Sequence, residues 1–132
     1  MTATATIVMM TKAIVLFAHG SRDPLWHKPI EAVAAQLRLT APADVRVACA
    51  YLELSTPDLA VVTQELAGLG ILHIAIVPMF LGVGRHARED LPTLVDGLRL
   101  QYPDLAFTLA PAVGENTKLV HLLAEIALDT LK

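Results

Sequence analysis

Four short apolar runs, Ala13 to Ala18, Val45 to Leu52, Ile71 to Phe80 and Leu105 to Ala110, alternate with stretches whose apolar residues recur every three or four positions. The runs are rich in branched residues and apolar at successive positions, as expected of strands covered on both faces in a parallel sheet. The intervening stretches read as helices. Ile30, Val33, Ala34 and Leu37 mark the first, Leu59, Val62, Leu66 and Leu69 the second, Leu91, Leu94, Val95 and Leu98 the third, and Leu119, Leu122, Leu123 and Ile126 the fourth. Asp23-Pro24 and Thr56-Pro57 each set a capping side chain before a proline suited to a first helical turn, Asn116 can cap the last helix, and Gly68 and Gly70 can end the second. The expectation is an α/β fold: a single doubly wound domain with a four-stranded parallel sheet flanked by helices. Right-handed crossovers and a flavodoxin-like order 2-1-3-4 put strands one and three side by side. A ligand crevice is then expected beyond their carboxyl ends, with the end of strand two beside it.

At 132 residues, 55% of them hydrophobic and 17% charged, the chain fits one compact domain over residues 12–132, with residues 1–11 as a loose lead-in. Ten Lys and Arg against thirteen Asp and Glu give a net charge of -3, and no basic run could neutralise a series of phosphates, so nucleic acid is not an expected partner. The apolar runs are far shorter than the roughly 18 residues a membrane span needs, and no membrane association is expected. One cysteine, Cys49, excludes an internal disulfide, and the first residues lack the basic and small-residue pattern of a secretory signal; a cytoplasmic setting is the expectation.

The strand ends carry the chemistry. Strand one opens into Ala18-His19-Gly20-Ser21-Arg22-Asp23-Pro24, strand two into Tyr51-Leu52-Glu53-Leu54-Ser55, and strand three into a glycine-bearing loop that reaches Arg85 and His86. Two imidazoles and a carboxylate at one sheet edge form a candidate open metal site, since neutral imidazole suits divalent cobalt, nickel, iron and zinc, and a carboxylate can ligate or accept protons. Each histidine alone reads better as a hydrogen-bonded structural residue; their shared edge favours the site. A phosphate loop is a weaker reading, because neither glycine-bearing loop matches a known phosphate pattern. Arg22, Lys28, Arg85 and Arg88 fall in or just after the histidine loops and could receive an acidic ligand, although each taken singly reads as an ordinary solvated residue. His27, His73 and His121 read as structural or surface residues, and Cys49 as a small buried hydrophobe. Met79 and Phe80 fit a flat ligand and core packing equally.

The strings FAHGSRDP, YLELSTPDL and VPMFLGVGRHAREDLP resemble the short sirohydrochlorin chelatases of the CbiX type, members of the class II tetrapyrrole chelatases. His19, Glu53 and His86, separated by 34 and 33 residues, stand in the family's order and at its usual intervals. The resemblance covers nearly all of residues 12–132. It implies a lyase that inserts a divalent metal into sirohydrochlorin, with His19 and His86 holding the metal and Glu53 helping to remove the pyrrole protons. Arg22, Lys28, Arg85 and Arg88 are candidates for the substrate carboxylates. The metal is a substrate, Co2+ by the resemblance with Fe2+ or Ni2+ as alternatives, and no permanently bound cofactor is expected. Cobalamin biosynthesis is the expected destination and siroheme the runner-up; a noncatalytic metal or tetrapyrrole carrier is the other class. Longer relatives resemble two such lobes in one chain, so a homodimer with facing crevices is expected.

Overall fold

The computed structural model describes residues 9–52 and 54–132. Four parallel strands, β1 (Lys12–Ala18), β2 (Val45–Tyr51), β3 (His73–Pro78) and β4 (Ala106–Leu109), form one sheet in the order β2-β1-β3-β4. The expected topology holds, with β3 and β4 one or two residues shorter at each end than their apolar runs. Register aligns Ala18 with Tyr51 and Phe17 with Pro78, so β1, β2 and β3 end at nearly one level. The lead-in joins the sheet before β1 begins, because the Thr11 carbonyl accepts the amides of Leu72 and His73.

Four helices, α1 (Lys28–Thr40), α2 (Leu59–Gly68), α3 (Arg85–Gln101) and α4 (Thr117–Asp129), follow the strands in turn. The main core lies on one side of the sheet. There Leu59, Val62 and Leu66 of α2 and Leu91, Val95 and Leu98 of α3 close over Val15, Phe17, Ile74, Ile76 and Phe107. On the other side α1 packs Ala34 against Leu16 and Val47. Helices thus flank both faces, but coverage is unequal: no residue of α4 is buried, and beside α1 the face of β3 and β4 stays partly open.

Two helix starts differ in detail from the sequence reading. Asp23 does cap, accepting the Leu25 amide at 2.9 Å, but it opens a 3-10 turn, Pro24–His27, that precedes α1. Asp58 caps α2 by accepting the Val61 amide at 2.9 Å, and Thr56-Pro57, joined by a cis peptide bond, lies before the helix. The reason is local: the Tyr51 amide bonds to the Pro57 carbonyl, which keeps that proline in the approach to the helix. Asn116 caps α4 as expected, and Gly68 ends α2 with Gly70 at φ +84°, where a side chain would be strained. Two guanidiniums tie helix to strand: Arg38 of α1 donates to the Val47 carbonyl at 3.0 Å, and Arg99 of α3 to the Phe107 carbonyl at 3.1 Å.

Candidate active site at the strand ends

His19 is the first residue beyond β1, and its exposed ring lies over the buried Phe80 ring, with centroids 4.3 Å apart and planes at 30°. Phe80 follows β3, so the sheet register delivers the imidazole onto an aromatic floor. Phe80 is therefore core and site wall at once. Beside His19 a hollow of about 370 Å³ is lined by Ala18, Leu25, Trp26, Ile30 and Met79. Leu25 and Trp26 are 61% and 60% exposed there, more than a 3-10 turn needs to leave uncovered. An imidazole at the edge of an apolar hollow suits a flat ligand with a metal-binding centre.

The loops after β1 and β2 are fastened together. The Ser21 amide donates to Ser55 Oγ at 2.8 Å, and that hydroxyl donates back to the Ser21 carbonyl at 2.7 Å. His27 Nε2 lies 2.9 Å from the same oxygen, and the His27 ring stacks on Tyr51 with centroids 4.2 Å apart. Leu54, within the second loop, has φ 59°, a conformation that costs a branched side chain free energy and persists only when its surroundings hold it. Glu53 lies outside the described residues; its neighbours Leu54 and Ser55 are held by this fastening.

His86 is exposed on the first turn of α3, which begins after Gly84 with no side-chain cap. Among the described residues, which exclude Glu53, no three His, Cys, Asp or Glu side chains converge on a metal-sized point. Arg22 and Lys28 are exposed and adjoin in sequence Asp23 and Pro29, which line the hollow, and no salt bridge to either occurs among the described residues. Arg85 pairs with Glu89 and Arg88 with Glu115, each at 3.6 Å and largely in solvent.

The sequence profile of one family, CbiX, matches residues 13–130. The chain belongs to the CbiX family. Among solved structures, it is similar to a putative cobalamin biosynthesis CbiX protein from Marinobacter aquaeolei VT8, with a TM-score of 0.79 and 30% identity over 91% of this chain and 97% of that one. The sirohydrochlorin chelatase SirB of Bacillus subtilis subspecies spizizenii, solved with cobalt, matches at TM-score 0.76 and 25% identity over 91% of this chain and 51% of its own. A sirohydrochlorin cobaltochelatase from Methanothermobacter thermautotrophicus is 33% identical over 82 residues, 62% of this chain and 56% of that protein. A sirohydrochlorin ferrochelatase from Bacillus subtilis is 27% identical over 114 residues, 84% of this chain and 42% of that one. The chain thus spans less than two thirds of the length of either enzyme.

Within this CbiX chain the remaining histidines separate by partner. His73 bonds through Nε2 to Thr108 Oγ1 at 2.8 Å at the start of β3, a structural contact remote from the strand ends. His121 is exposed on α4. Cys49 is half-buried rather than buried, packed against the small cluster of Leu16, Ala34 and Val47 without being enclosed by it; burial still pushes its thiol pKa up. Ser21, Ser55 and Trp26 were not singled out from sequence. The signal was present for the serines, since both stand inside the quoted motifs HGSRDP and ELSTP.

Proposed function

We propose that this CbiX chain inserts a divalent metal ion, cobalt in the first instance, into sirohydrochlorin or a similar tetrapyrrole on the way to cobalamin, with the cytoplasm as its compartment. The observation that carries the reading is the His19 imidazole on its Phe80 floor at the mouth of an apolar hollow. The reaction exchanges two pyrrole N–H protons for one metal ion. It needs ligands that hold and release the ion on one side of the ring, and a base nearby. His19 and His86 take the first role and Glu53 the second. Leu25, Trp26 and Met79 offer apolar surface to the macrocycle, and Arg22 and Lys28 offer charge to its carboxylates. Arg85 and Arg88 join them, because solvent-exposed pairs such as theirs are worth only about 0–1 kcal/mol and yield to a ligand carboxylate.

Iron insertion, on the way to siroheme, is the second reading, supported by the Bacillus relative named a sirohydrochlorin ferrochelatase; nickel suits the same donors. The hollow is open on one side, so we place a second copy opposite it, the two crevices facing and enclosing the ring between them. An anaerobic assay of purified protein with sirohydrochlorin and each of Co2+, Fe2+ and Ni2+, followed by absorbance, tests class and metal together. Multiple turnovers with one preferred ion are expected. Stoichiometric binding without turnover would leave a carrier and remove the enzyme.

A further inference from the structure

The loop that brings His86 to the strand ends does not hold itself. It runs from Leu81 to Gly84, between Phe80, the floor under His19, and Arg85, the first residue of α3. Among the described residues, none of Leu81, Gly82, Val83 and Gly84 donates its amide to a backbone carbonyl, and Leu81, Gly82 and Gly84 are exposed. His86 follows Phe80 by six positions, so the course of this loop decides how far one imidazole lies from the other.

The hold comes from the segment after β4. The Gly114 amide donates to the Phe80 carbonyl at 3.0 Å, and its Cα lies against the Leu81 backbone so closely that a Cβ would fall on the Leu81 carbonyl. The φ of Gly114 is outside the left-handed region, so the backbone would accept alanine and the lack of space alone forbids it. At Gly97, by contrast, a Cβ would meet nothing within 4 Å. Of the two strands of chain in contact, the one bearing Gly114 is the better anchored. The Ala110 amide bonds to the Ile76 carbonyl at 2.9 Å, Ala112 is buried in the main core, and Asn116 caps α4. A side chain added at position 114 therefore displaces the loop and not the segment. The exposed pair of Glu115 with Arg88 adds little to this hold.

We propose that Gly114 is a positioning residue for the metal path: its close contact with Leu81 sets the spacing at which His19 and His86 reach one ion. The inference rests on the roles given above to the two histidines, and Gly114 acts through Leu81 rather than on the ion or the ring. To regain an ordinary separation of roughly 3.5 Å from an added methyl group, the Leu81 backbone has to retreat by about 1–2 Å. A metal–imidazole bond is itself only about 2 Å long. The displacement is comparable with the bond it disturbs, and a site that depends on two ligands loses one.

Calorimetric titration of the full chain with Co2+ alone tests this apart from turnover. Gly114→Ala, with native circular dichroism, should weaken Co2+ binding at least tenfold, as should His86→Ala, whereas Gly97→Ala should bind as wild type does. The two losses should not add: Gly114→Ala in a His86→Ala background should change the affinity by less than about twofold, because no spacing is left to set. Wild-type affinity in His86→Ala would overturn the metal roles and this inference with them. Wild-type affinity in Gly114→Ala, or a further tenfold loss in the double variant, would overturn the positioning role alone. Hydrogen exchange of the wild-type chain gives a reading that needs no variant to fold. Co2+ at about ten times its Kd should slow exchange in residues 110–116 about tenfold, since the ion favours the held loop, and leave residues 130–132 unchanged. Exchange in residues 110–116 indifferent to Co2+ would overturn the proposal.

Discussion

His27 donates its Nε2–H to Ser55 Oγ across 2.9 Å, and the direction of that bond follows from counting protons. The Ser55 hydroxyl has one hydrogen, and it is spent on the Ser21 carbonyl. Its two lone pairs receive the Ser21 amide and the imidazole, so His27 must carry hydrogen on Nε2. The ring serves as a strut between the first two strand-end loops. Ser55→Ala removes all three bonds, leaving a half-buried amide and carbonyl unpaired at a cost of about 1–3 kcal/mol. Urea unfolding should show that loss, and turnover should fall further than the small unfolded fraction explains. Undiminished turnover would reduce the fastening to a purely structural contact.

Replacing either His19 or His86 by Ala should lower metal insertion at limiting metal by an order of magnitude or more. Both side chains are exposed, so circular dichroism should remain that of wild type. Wild-type turnover in both variants would remove them from the metal path.

Glu53→Gln keeps shape and abolishes proton acceptance. Insertion should slow by on the order of 10² to 10⁴ while tetrapyrrole binding changes little, and the acidic limb of the pH–rate profile should disappear. Stopped-flow absorbance separates the two effects. A slowing below about threefold would assign Glu53 to the architecture of its loop.

Cys49 supplies a pH dependence. Burial raises its thiol pKa, Arg38 opposes the rise and Glu31 adds to it, so the folded chain holds this proton more tightly than the unfolded one. The resulting stability is fully present below the ordinary value of 9.0 and is lost as pH climbs from there through the raised folded value. Thermal melts of wild type should therefore decline more steeply above pH 9.0 than those of Cys49→Ala, with Tyr51, raised for the same reason, contributing in both. Equal slopes would contradict the burial argument.

The sheet was legible because residues of β1 and β3 such as Val15, Leu16 and Ile76 meet packing on both faces and leave unbroken apolar runs. The helix faces were legible too, but periodicity tells which side of α4 is apolar and nothing about what it lies against. The start of α2 was misplaced because Thr56 and Asp58 are both capping residues, and only the bond from the Tyr51 amide to the Pro57 carbonyl decides between them. His19 could be found by its place after a strand. Ser21 and Ser55 stand within the motifs that mark the strand ends, but their bond to each other was not legible, since they lie 34 residues apart and no local pattern encodes their meeting.

The outer strands β2 and β4 each have a carbonyl occupied by a guanidinium, Arg38 on Val47 and Arg99 on Phe107. A strand at the margin of a sheet is otherwise a template on which another chain can add its own backbone, the route to fibrils and to unplanned oligomers. With those acceptors taken and a bulky cation standing over each margin, the sheet is discouraged from growing sideways. Copies of this chain that meet at high concentration are thereby steered away from endless stacking and toward contacts made by side chains, which can close on themselves.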